Sequence, residues 1–120
     1  MPNKREFKKY VEALGASVCD EMMVAYYNIE GVDRDKIRES IGRVLGAVGV
    51  ATSHANIFFD RGVKAFPSAA EYSKEKSKFF RALFRKIATD FSAEIDAALK
   101  EFNAAIPAEV RERQRQEVAR

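Results

Sequence analysis

Apolar residues recur at three- and four-residue spacings along most of the chain, the period of a helix that hides one face from water. Phe7, Tyr10, Val11, Leu14, Val18, Met22, Ala25, Tyr26 and Ile29 keep that spacing through a first segment. Asn3 has cap chemistry at its start, with Glu6 three residues on, and Gly31 supplies a stop, so a helix is predicted over about 3–29. Its second half is apolar nearly all round, broken by Asp20 and Glu21, which suits a helix that is central in its own domain or shared with another subunit.

Val32 and Ile37 flank Asp33 as a hydrophobic staple flanks an N-cap. A second helix is predicted over about 34–61, with Ile37, Ile41, Val44, Leu45, Val48, Ala55, Phe58 and Phe59 as its stripe and Arg61-Gly62 as its end. Ser68 and Glu71 form a capping box just after Pro67, and Tyr72, Phe79, Phe80, Leu83, Phe84, Ile87, Phe91, Ile95, Ala98, Leu99 and Phe102 then stay in phase. Unbroken from 69 to 105, that helix measures about 55 Å at 1.5 Å per residue. A compact domain of this size is roughly 35 Å across, so either the helix bends or the molecule is elongated. Thr89, Asp90 and Ser92 carry cap chemistry, and a bend or restart is expected there, dividing 69–88 from 91–105. Pro107 closes the segment, and the tail after it has only Val110 and Val118 as apolar anchors.

The pattern therefore predicts an all-α fold, an antiparallel bundle of about four to five helices. Three are long segments, the third bent near 89–92, and a weak C-terminal helix follows. Residues 1–107 are read as a single helical domain and 108–120 as a charged tail, a peripheral or frayed helix.

The middle of the second helix is unusual. Gly42, Gly46 and Gly49 each cost about 1 kcal/mol relative to alanine inside a helix, so something must exploit the missing side chains. Close helix packing is the favoured account, with Ser53 completing a small-residue edge; a break through Val48-Gly49-Val50 or a phosphate cradle is the alternative. The string is neither G-x-G-x-x-G nor a P-loop.

Composition narrows the class. The 120 residues are 47% hydrophobic and 32% charged, with one Cys and one His, enough for one core without disulfides. Cys19 has no intramolecular partner and no apolar stretch follows the charged start, so a cytoplasmic home is expected. The greasiest run, residues 44–59, is shorter than the roughly 20 residues of a spanning helix, and no membrane partner is expected.

The net charge of +3 is unevenly spread: residues 63–88 carry seven basic and two acidic groups. Lys74, Lys76, Lys78, Arg81, Arg85 and Lys86 are interleaved with Phe79, Phe80 and Phe84. Such a segment is a candidate anion or nucleic-acid surface, although the aromatic spacing suits a core stripe with the cations on its wet face.

No HExxH, CxxC, GxSxG or Walker motif is complete, so no catalytic residue, cofactor or metal is assigned and a non-enzymatic role is favoured. Cys19 reads as an inert hydrophobic thiol, and His54 as a core histidine satisfied by a partner. The leading expectation is a small helical interaction or structural module, self-associating as a homodimer or joining another helical protein. Nucleic-acid binding through residues 74–86 is the alternative. Less favoured is a ligand or enzymatic pocket around His54 with Asp20, Glu21 or Tyr27 and the glycines Gly46 and Gly49, which demands a cavity bordered by Gly46 or Gly49 and containing His54.

Overall fold

A computed structural model describes residues 3–59 and 61–119; Met1, Pro2, Asp60 and Arg120 lie outside the description. The fold is an all-α bundle of α1 (Lys4–Asn28), α2 (Arg34–His54), α3 (Ala69–Ala105) and α4 (Ala108–Ala119), with a 3-10 turn at Val63–Ala65. Each long helix starts where its cap chemistry says. The side chains of Asn3, Asp33 and Ser68 accept from the backbone N–H three residues on, at 2.8, 3.1 and 3.2 Å.

The chain runs down, up and down again, with α2 packed between α1 and α3. Gly15 of α1 abuts Val44 and Val48 of α2, and Lys8 at the start of α1 donates to Asn56 just past the end of α2. Asp33 N–H, at the start of α2, donates to the carbonyl of Ala105 at the end of α3 over 2.9 Å. Gly31 takes φ +82° to turn between the first two helices, and a Cβ there would stand 3.3 Å from Pro107 Cγ. The core is built from Phe7, Val11, Val18 and Met22 of α1, Ile37, Val44 and Ala51 of α2, and Ile87, Phe91, Ile95 and Ala98 of α3. Ser40 is buried with them, its hydroxyl donating to the Lys36 carbonyl at 3.0 Å.

Two boundaries differ from the sequence reading. Helix α2 stops at His54, about two turns before the predicted end: Asn56 N–H turns back to the Ser53 carbonyl and Ile57 N–H to that of His54, both at 3.1 Å. Phe59 leaves the stripe to stack on Phe66 at 6.0 Å and to meet Phe79 and Tyr72 edge-on. Helix α3, by contrast, passes Thr89–Ser92 without a restart. Thr89, Asp90 and Ser92 all face water, where their cap chemistry competes with nothing. The length problem is resolved by elongation: the molecule measures 65 × 31 × 18 Å, with a radius of gyration of 19.7 Å against about 14 Å for a compact domain.

The first half of α3 consequently overhangs the bundle. No residue from Ala69 to Lys86 is buried, whereas Ile87, Phe91, Ile95 and Ala98 are. A chain of rings, Phe59, Phe79, Phe80, Phe84 and Phe7, fastens the connecting loop and the start of α1 to it. Helix α4 begins after Pro107, whose carbonyl accepts from Val110 and Arg111 at 3.1 Å. Its described side chains are exposed apart from the half-buried Val110.

Candidate functional site

Helix α2 is flanked on two sides, which leaves an outer arc of about 140° carrying Gly42, Leu45, Gly46, Gly49, Val50 and Ser53. A Cβ built on Gly42, Gly46 or Gly49 would meet no atom within 4 Å. The close packing expected at these glycines is therefore absent within the chain. The glycine that serves that purpose is Gly15, where a Cβ would run into Val48 Cγ2. Around the open glycines stand large apolar side chains, Leu45 at 59% exposure and Val50 at 55%.

Gly46 and Val50 also border a groove of about 330 Å³ between α2 and α3. Ala47, Ala51, Ile87 and Phe91 form its apolar floor; Arg43 and Glu94 stand at one end, His54 and Asp90 at the other. Arg43 is fixed by a forked contact, Nε to Glu94 Oε2 at 2.8 Å and Nη1 to Glu101 Oε1 at 2.6 Å. Those hydrogen bonds hold the guanidinium charged and pull the Glu94 carboxyl below its ordinary 4.5. A carboxylate with a depressed folded pKa stabilises the fold above its unfolded value and loses that contribution as pH falls through the folded one. Glu94→Gln is accordingly expected to flatten the decline of the melting midpoint below pH 4.5, read by thermal denaturation at a series of acid pH values; an unchanged acid profile would remove the role of this pair.

The predicted pocket is split by the fold. His54 and Gly46 do share the groove, yet His54 is exposed at its rim because α2 ends there, so the expected core histidine is not formed. Gly49 lies on the outer arc. Asp20 and Glu21 border a shallow hollow on the far side of α1 with Ala13 and Val24, since α1 turns its Val11–Val18–Met22 face to the core. Tyr27 is exposed at the opposite end of the bundle, edge-on to Tyr26.

The six basic residues of α3 also separate. Lys74, Lys78, Arg81 and Arg85 recur at helical spacing along one exposed stripe, whereas Lys76 sits 5.6 Å from the Tyr72 ring centroid and Lys86 pairs with Asp90 at 3.4 Å. Cys19 is half-buried; burial pushes its thiol pKa up and the charge of Asp20 adds to the effect, the opposite of the surroundings that activate a thiolate. Among the described residues, no three His, Cys, Asp or Glu side chains gather as metal ligands, and no helix is long and apolar enough to cross a membrane.

Gly15 is the functional packing position that sequence reasoning missed. Its signal was present, because it falls in phase with Val11, Val18 and Met22. No family model, curated protein or solved structure matches the chain.

Proposed function

We propose that this chain is a small helical interaction module that pairs with a second copy of itself through the outer arc of α2. The observation that carries the reading is the open glycine row: three residues that together cost the helix about 3 kcal/mol have empty space inside the chain where a side chain would stand. A partner helix approaching over Gly42, Gly46 and Gly49 gives them a use. The same arc continues into the groove through Gly46 and Val50, so a side chain of the second copy has somewhere to go. A twofold axis crossing α2 near Gly46 sets Val50 of one copy over Gly42 of the other, a knob against a gap.

Surface area supports the same reading. The chain exposes 8507 Å², whereas a compact monomer of its 13.5 kDa exposes about 6,500 Å². The surplus of roughly 2,000 Å² includes the overhanging half of α3 and the exposed α4 as well as the α2 arc, and exceeds the ~800 Å² that each partner contributes to an ordinary interface. The single cysteine, Cys19, suits a reducing cytoplasm.

Sedimentation velocity across the micromolar range tests the reading. A dimer is expected, and Leu45→Lys with Val50→Lys should raise its Kd by about 100-fold or more, because two apolar anchors are lost and like charges meet across the axis. Both side chains are exposed, so helicity should not change. A chain that stays monomeric throughout, or a dimer indifferent to the double substitution, would overturn it.

A further inference from the structure

We infer that the overhanging half of α3 binds the phosphate backbone of double-stranded nucleic acid through Lys74, Lys78, Arg81 and Arg85. These four positions fall within about 60° of arc and along about 16 Å of helix, the rise of roughly five nucleotides of one strand. Among the described residues none of the four makes an ion pair. Arg61, from the loop before α3, shares a shallow hollow with Lys78 and Ala82, so a second element adds its charge to the stripe; Glu75 borders the same hollow and limits it on that side. Convergence of two elements is what separates this surface from an ordinary solvated helix face.

The surroundings select the partner. Phe59, Phe79, Phe80 and Phe84 are packed on one another; the exposed Phe58 of the loop is a single ring and not the row of platforms on which successive unpaired bases stack, which favours a duplex over a single strand. The neighbours on the stripe's open flank are small, Ala70, Ser77 and Ala88. They permit close approach of a sugar-phosphate chain but offer nothing to bury in a bilayer. The inference does not depend on the pairing of chains through α2.

Fluorescence anisotropy of a labelled DNA duplex tests it. Binding is expected at about 50 mM salt, with log Kobs against log salt falling at a slope of about −4 and affinity dropping roughly 100-fold by 200 mM. Replacing Lys74, Lys78, Arg81 and Arg85 by Gln should abolish binding, and each pairwise variant should lower the slope by about 2. Lys76→Gln with Lys86→Gln should change the slope by much less. The far-UV circular dichroism of every variant is recorded alongside, and the wild-type slope and pairwise variants carry the test should the quadruple variant misfold. The inference is overturned by absence of binding at low salt, by binding that survives the stripe substitutions, or by a preference for phosphatidylserine vesicles over duplex.

Discussion

Alanine at Gly42, Gly46 and Gly49 together is expected to stabilise the single chain by about 2–3 kcal/mol, raising its melting midpoint by about 10 °C. All three lie inside α2 with open space where a Cβ would stand. Alanine therefore removes the entropic penalty of glycine and strikes nothing. The same substitution at Gly15 should act in the opposite direction. There the new methyl meets Val48, a β-branched side chain with few rotamers to retreat into. Overpacking of about 2 kcal/mol outweighs a helix gain of about 1 kcal/mol. Val48→Ala in the same chain should restore the lost stability, a coupling that a double-mutant cycle reads directly. Melts of dilute protein, monitored at the helical minimum, decide the matter; four glycines responding alike would contradict the packing described for α1 against α2. In concentrated solution the triple variant should also associate less than the parent, which separates what these positions do for one chain from what they do for two.

Phe91→Ala should lower stability by about 3 kcal/mol, the low end of the range for a buried phenylalanine. Phe91 is 5% exposed in the core, where it touches both α2 and the body of α3. It also forms part of the groove floor, so the space left behind opens to solvent and can fill with water. That moderates the loss. Against a total of roughly 6–18 kcal/mol for a chain of this length, the shift is large. Urea denaturation should show an earlier midpoint and an unchanged slope. Phe58→Ala, at a ring 74% exposed, is the matched control and should move stability by no more than about 0.5 kcal/mol. Equal effects at the two rings would mean that the core is misassigned.

Much of this architecture was legible before any coordinates. Asn3, Asp33 and Ser68 each marked a helix start because a capping oxygen is a local device, read from three or four consecutive residues. The apolar stripes of α1 and the second half of α3 were equally plain, since both faces are decided by burial. What escaped was decided by distant partners. Ala55, Phe58 and Phe59 continue the α2 period, but Phe59 finds more ring surface on α3 and the loop than along its own helix. The polar set at Thr89–Ser92 could cap a helix or simply face water, and only the neighbours of that turn choose between them. For the candidate site, the groove shared by Gly46 and His54 followed from their positions on α2, eight residues apart on adjoining sides. The exclusion of Asp20, Glu21 and Tyr27 did not, because spacing along α1 says which residues share a face and not which face meets α2.

The unbroken passage of α3 from bundle to overhang has one more consequence. A helix with no hinge at its midpoint makes the projecting half a stiff prong, aimed by the same backbone ladder that runs through the core. A ligand engaging it orders no loop and folds no segment; only the rotamers of long basic side chains are lost, up to about 2 kcal/mol each. Nucleic-acid recognition of the kind inferred above would be rigid docking, with its speed set by diffusion and charge and not by a conformational search.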